Sequence, residues 1–392
     1  MIGAPKLTTW DDMERFSLWG NSSDLRRLPL SFEHHLAKAK RMAYGDWEIV
    51  ASYEKSKTEH RALTREVGVM DLSFFTFVKV TGSDRLESIN RQISCDISNL
   101  KEGDGRRALL LNDQGGILAD VEVVMMAEAL LLITVPTMPA DRLIAILSRN
   151  LLTEDVEFED ASEHLVALTI LGENKGWLAR ALGVEAPGVG GAAMKASMID
   201  DMSVNILRTE MLGKALMILT KEKFASGVWK AMVAGAKELG GCAVGWEAFT
   251  AWRIERGMLW HGLDFDEEVI PQDAGLDDTV TRGKTGYAGA DEMLRRAGKS
   301  AERMYIGLII DAAEPPPKDA PIHFPEGMPA GALKSVGFSY SQNKYVGLAI
   351  IKRRDPLPYS PMIIHLPHIT LEAKAVNLPF PTNMFESEDD TF

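Results

Sequence analysis

One short turn constrains this chain more than any other feature. Asn112-Asp113-Gln114-Gly115-Gly116 separates two apolar runs, 108–111 and 117–126. A Gly-Gly pair supplies the positive φ of a tight reversal, so the segment predicts a β-hairpin. Around that anchor, strand patterns fall at 74–81, 130–135, 156–158, 165–171, 204–208 and 215–220, and helical spacing at 56–66, 84–93, 138–149, 174–182, 221–239 and 246–256. A short helix is expected near 11–17, an aromatic turn at 44–53 and a flexible glycine loop at 183–193. Strands around 304–310, 346–351 and 362–366 suggest a compact β-rich module ahead of an acidic tail, ESEDDTF. Hairpins interleaved with helices say α+β, not a doubly wound sheet.

Charge and composition exclude several classes. Lys and Arg total 43 against 56 Asp and Glu, a net −13, which argues against a general nucleic-acid binder. No run reaches the ~18 apolar residues of a membrane span. The first twenty residues carry charges where a secretory leader is apolar. Cys95 and Cys242 make neither a disulfide framework nor a four-cysteine zinc site, and the eight histidines are scattered. The expectation is a cytoplasmic protein with no metal, membrane or nucleic-acid partner, and a homo-oligomer stays open. Walker A, GxSxG, HExxH and CxxC patterns are all absent.

Two constellations carry chemistry. On the strand after the turn, Asp120 and Glu122 share a face while Val121 and Val123 point the other way. A carboxylate in a partly desolvated cleft rises in pKa and can orient an amine or exchange a proton with it. The same residues equally suit the solvated face of a hairpin. Further on, a helix ends at Gly257 and an acidic loop follows through Asp264, Asp266 and Glu267 to 271–276, which by itself reads as a helix cap and a solvated loop.

Together these segments resemble the aminomethyltransferase family, the T-protein of glycine cleavage and its folate-dependent relatives. Residues 112–121 resemble its NexGGILDDL stretch, 253–267 its RLEAGLxLYGxDxDE stretch and 271–276 its PxEAxL loop. Residues 69–73 with 78–82 look like the LFDVSH and strand-GxD region, Trp47 and Tyr53 keep the spacing of GWxxPxxY, and 283–289 is similar to the closing KxxFIGxEAL. The match runs from about residue 34 to the C-terminus. Gly337-Phe338-Ser339-Tyr340-Ser341 and Val376-Asn377-Leu378-Pro379-Phe380 are closer to the demethylase branch, such as dimethylsulfoniopropionate demethylase.

The resemblance implies a three-lobed cloverleaf that holds tetrahydrofolate centrally. It also implies an N-terminal extension (1–33), a two-lobed folate-binding region (34–298) discontinuous in sequence, and a β-rich C-terminal domain (299–392). Asp120 matches the catalytic aspartate near folate N5. Expected cofactor contacts are Tyr53, Asn112, Glu210, Met217, Glu247 and Phe249, and expected walls for a small methylated donor are Trp47, Phe74 and Tyr340. The departures are pointed. Ala119 replaces the first aspartate of the pair, Phe74 a histidine and Phe249 an arginine, and Met217 stands where the family has the glutamate that grips the pterin. Either folate binds through other residues, with Glu210 and Glu247 the candidates, or it does not bind. The resulting expectation is a tetrahydrofolate-dependent methyl or one-carbon transferase acting on a small N-, S- or O-methylated donor. The alternatives are a glycine-cleavage aminomethyltransferase and a non-catalytic folate-binding regulator, the latter echoed by 284–289 but lacking any cysteine after Cys242.

Overall fold

A computed structural model describes residues 25–188, 191–353 and 359–381; the expected helix near 11–17 and the acidic tail lie outside them. Strands β1 (Arg26–Arg27), β2 (Lys40–Tyr44) and β3 (Trp47–Ser52) form a small sheet in the order β1-β3-β2. The segment expected as an aromatic turn is therefore a hairpin. Tyr44 pairs with Trp47 across Gly45-Asp46, and Gly45 takes φ +60°. The β-branched and aromatic residues after Asp46 pair as strand because that two-residue turn brings them back on register.

Two larger sheets share the chain between β4 (Gly68–Asp71) and β14 (Cys242–Ala243). One runs β11-β12-β13-β10-β4-β14, from strands Ala193–Ile199, Met202–Thr209, Ala215–Thr220, Val166–Leu171, Gly68–Asp71 and Cys242–Ala243. The other runs β6-β7-β8-β5-β9, from Gly105–Leu111, Ile117–Met125, Leu130–Thr134, Thr76–Thr81 and Glu157–Asp160. β11 begins inside the stretch read as a glycine loop and pairs with β12 along its length. The single strand expected over 74–81 starts two residues later, because Phe74 and Phe75 turn inward to the core at 2% and 1% exposure.

The C-terminal strands β15 (Arg303–Asp311), β16 (Pro321–His323), β17 (Pro329–Ser339), β18 (Lys344–Lys352), β19 (Pro361–His365) and β20 (Thr370–Val376) close into a barrel. Closure leaves no free edge for a further chain to pair with. The long helix Glu222–Glu238 buries Ala225, Val228, Trp229, Met232 and Ala236, the 3.6-residue stripe that its sequence carries. No helix among the described residues is long and apolar enough to cross a membrane.

One buried staple ties the lobes together. Arg253, on the helix Trp246–Glu255, donates to Asp264 Oδ2 at 2.8 Å and to Ser335 Oγ on β17 at 2.8 Å. Asp264 also accepts from the Trp260 N–H at 2.8 Å, and the Tyr305 hydroxyl of β15 donates to its carbonyl at 2.7 Å. What reads in sequence as a cap and a solvated loop is thus a bridge between helix, loop and barrel.

Candidate functional site

The hairpin turn is held by its own asparagine. Asn112 Oδ1 accepts from the Gln114 and Gly116 N–H groups at 3.0 and 2.8 Å, and Asn112 Nδ2 donates to the Glu267 carbonyl at 3.2 Å. A Cβ on Gly116 would lie 1.8 Å from that carbonyl, so only glycine allows the acidic loop to approach so closely. Asn112 thereby joins the two constellations and sits in the turn.

Asp120 lies on β7 and is 1% exposed. Arg107 of β6 grips it with both arms, Nε to Oδ1 at 2.9 Å and Nη2 to Oδ2 at 2.5 Å. Burial works against the guanidinium charge, yet Asp120, Glu122 and Glu210 outweigh it and hold the Arg107 pKa above its ordinary value. Glu122, two residues on along the same face, is also fully buried. Its Oε1 accepts from the Thr209 hydroxyl at 3.0 Å, the Met211 N–H at 2.8 Å and the Glu210 N–H, while Oε2 has no partner. Burial pushes this carboxyl up to about 7, against those bonds and the Arg107 charge. Of two carboxylates on one face, one is clamped by a guanidinium and the other keeps a free oxygen and a raised pKa.

Arg107 and Glu210 line a cavity of about 430 Å³ with Met211, Trp252, Lys175 and Arg256. Trp252 is 4% exposed and its buried Nε1 has no partner. A second cavity, about 1020 Å³, is lined by Tyr44, Trp47, Thr137, His261 and Asp266. An aromatic ladder joins the two: Tyr44 to Trp246 at 4.6 Å between ring centres, Trp246 to Phe249 at 5.7 Å, Phe249 to Trp252 at 6.0 Å. Asp120 stands between the cavities as well, bonded to Arg107 of the first and acting through its charge on His261 of the second.

The residues expected at the site are dispersed. Met217 and Phe249 are 0% exposed and Phe74 2%, all within the apolar centre, so none of them walls either cavity. Tyr53 shares a 2.9 Å hydrogen bond with His34 Nδ1, whose Nε2 meets Asp71 at 2.8 Å. Glu247 accepts from Ser56 Oγ at 2.5 Å, and Tyr340 packs on His60 and Phe338 in that same corner against the barrel. Trp47 walls the second cavity, with the Arg26 guanidinium 4.1 Å over its ring. Only Glu210 reaches the first. Arg107, Trp252, Tyr44 and His261 are the residues that sequence reasoning missed.

The first cavity suits a reduced folate better than the packed centre does. The Glu210 carboxylate can accept from an amide-rich ring edge beside the Trp252 wall, and Lys175 and Arg256 can face an anionic tail. The centre itself, where Met217 and Phe249 pack, has no polar atom of those two side chains to offer.

Comparison with known proteins places this architecture. A family profile, the GCVT N-terminal domain, matches residues 30–284. The aminomethyltransferase of Frankia alni is 26% identical over 334 residues, covering 84% of this chain and 91% of that protein. That of Bacillus licheniformis is 24% identical over 369 residues, covering 91% and 98%. The crystal structure of glycine cleavage system aminomethyltransferase T from Bartonella henselae superposes with a TM-score of 0.78 at 23% identity, over 91% of this chain and 98% of that one, and so shares the fold. The chain belongs to the GCVT family, and with it to the tetrahydrofolate-dependent one-carbon transferases.

Proposed function

We propose that this protein transfers a methyl or other one-carbon unit from a small N-, S- or O-methylated donor to tetrahydrofolate bound in the Arg107–Glu210–Trp252 cavity. The observation that carries the reading is that cavity's lining: the Glu210 carboxylate with Arg107, Lys175 and Arg256 beside the Trp252 wall at one opening. When bound, tetrahydrofolate supplies the nucleophilic nitrogen that accepts the one-carbon unit. Glu210 and Trp252 hold the ring edge, and Lys175 and Arg256 hold the tail. Asp120 acts through Arg107: it fixes the guanidinium at the cavity wall and is a positioning residue. Glu122, with its free oxygen, can hold or release a proton beside Arg107 and Glu210 near neutral pH. The scattered Tyr53, Glu247 and Tyr340 lie away from this cavity and bind their own neighbours, His34, Ser56 and His60.

Calorimetry with tetrahydrofolate tests the reading. Glu210→Gln and Trp252→Phe should each weaken binding about tenfold, whereas Tyr53→Phe and Glu247→Gln should leave it unchanged. Absence of binding, or equal losses in all four variants, sinks it. A second reading is transfer from a carrier-bound aminomethyl group. It is favoured by relatives named aminomethyltransferase that match over nearly their whole length. Turnover of free methylated donors without any carrier protein separates the two.

A further inference from the structure

The charged wall of the first cavity is set from one strand. Asp120 of β7 grips Arg107, and Glu122, two residues further along the same face, holds the turn that carries Glu210. That turn joins β12 to β13, whose pairing ends at Thr209 opposite Ala215. Its own backbone bonds run from the Gly213 N–H to the Glu210 carbonyl at 3.2 Å and from the Ala215 N–H to the Leu212 carbonyl at 3.3 Å. Neither uses the Glu210 or the Met211 N–H. Those two reach to the other sheet, where Glu122 Oε1 accepts from both, the Met211 N–H at 2.8 Å, and from the Thr209 hydroxyl at 3.0 Å. Buried backbone donors need a partner, and here one carboxylate serves three consecutive residues.

Among the described residues the Glu122 side chain bonds to this turn alone. Its Oε2 is buried without a partner, and Arg107, opposite it in register on β6, turns its guanidinium to Asp120. Burying a carboxylate is unfavourable, and a strand ladder made by backbone groups needs no side-chain acceptor at this position. What the bonds secure is the turn. Glu210, Met211, Leu212 and Gly213 all line the first cavity. At its far end the turn is wedged by Met258: Gly213 takes φ +63°, and a Cβ there would lie 2.6 Å from the Met258 methyl. The Glu210 carboxylate is held by a long bond, Oε2 accepting from the Arg107 N–H at 3.3 Å. Where it points therefore follows from where its backbone is pinned.

We propose that Glu122 is a positioning residue of the first cavity: it pins the turn after β12 through the Glu210 and Met211 N–H groups and the Thr209 hydroxyl, so that Glu210 presents its carboxylate to the bound ring. This rests on the folate reading above and gives Glu210 its support. Alternate residues of one strand then set the wall, Asp120 its guanidinium and Glu122 its acid, and Glu122 does not itself touch the ligand.

The test pairs calorimetry with tetrahydrofolate on the full chain with amide hydrogen exchange in the ligand-free protein. Glu122→Leu removes the acceptor. Exchange at the Glu210 and Met211 N–H groups should speed up about tenfold or more. Folate affinity should fall about tenfold, the loss expected of Glu210→Gln. Glu122→Gln keeps an acceptor oxygen and should rescue both readouts. The double variant Glu122→Leu/Glu210→Gln should lose about tenfold and not about a hundredfold, because the pinned backbone matters only through the carboxylate it presents. Additive losses, wild-type affinity in Glu122→Leu, or unchanged exchange at those two N–H groups overturn the proposal. Should Glu122→Leu fail to fold, Glu122→Asp keeps the charge, draws the acceptor back by one bond and is held to the same outcomes. Exchange needs no ligand. Faster exchange in Glu122→Leu, with no folate bound by wild type, removes the folate reading and leaves the pinned turn. Folate binding by wild type with exchange unchanged does the reverse.

Discussion

On one side of Asp120 the cavity wall carries Arg107, Lys175 and Arg256 beside Glu173 and Glu210; on the other, six carboxylates face two arginines. The two cavities lie at opposite ends of one aromatic ladder and share one buried carboxylate, yet their fields differ in sign of preference. The contrast shows how an acidic chain can still receive an anionic ligand. The overall −13 describes the average surface, while a few cations placed by the fold decide one opening. The centre between the cavities is dry and apolar, with Met217, Phe249 and Trp246 packed against one another's surroundings at 0–3% exposure.

The largest effect should come from breaking the shared element. Arg107→Met leaves Asp120 buried and unpaired, which costs about 3–5 kcal/mol by the usual penalty for half of a buried ion pair. Denaturant unfolding measures it, and adding Asp120→Asn to that variant should recover part of the loss. If Arg107→Met melts like wild type, the pair is not the joint between the cavities.

Next comes Glu122, which belongs to the Arg107 side alone. Its pKa is raised on folding to about 7, so the native state holds a proton that the unfolded chain gives up at lower pH. Its contribution is full below the ordinary carboxylate range and is lost as pH rises to about 7. The shift corresponds to about 3 kcal/mol. Glu122→Gln should remove that slope, read as the difference between the two stability–pH curves over this window.

Trp252→Phe sharpens the comparison from within the first cavity. Trp252 is 4% exposed within the apolar centre, so shortening the indole to a phenyl should cost about 1–3 kcal/mol of stability as well as weaken folate. A lowered thermal midpoint beside a weakened folate affinity is the expected pair of results. The smallest effect is at the rim. Lys175→Ala should weaken folate only about two- to threefold and flatten its salt dependence, because a half-buried cation at a cavity rim is still largely screened.

The sequence made the turn legible because Asn112 and Gly116 act locally: the asparagine closes the turn on its own neighbours, and glycine is required where Glu267 approaches. Asp120 and Glu122 sharing a face was equally legible, since strand periodicity is local. Their different fates were not. Counting back from the turn with a regular register pairs residue 107 with 121. A bulge between Leu110 and Leu111 shifts the strand by one, so that Arg107 pairs with Glu122 and its side chain joins the carboxylate face. A one-residue slip reverses every side chain beyond it, and nothing in the residues of β6 announces the bulge. Met217 and Phe249 were visible as departures from the family's pattern, but that both are closed off depends on one core cluster that joins β13 to the helix of Trp246, Phe249 and Trp252 and to Trp260 of the loop beyond it.

By itself, then, the sequence determined the α+β class, the hairpin, the long helix with its buried stripe, and the family, because each rests on short-range spacing or on ordered motifs along the chain. The tertiary structure alone decided which carboxylate is clamped by Arg107 and which is raised in pKa, that the centre is packed while its flanks are hollow, and that His261 meets the Ile117 carbonyl. Those outcomes depend on burial and on partners far away in sequence, Arg107 to Asp120 across a bulged strand pair and His261 to Ile117 across 144 residues. Desolvation and hydrogen-bond completion, which set them, exist only once the lobes have closed on one another.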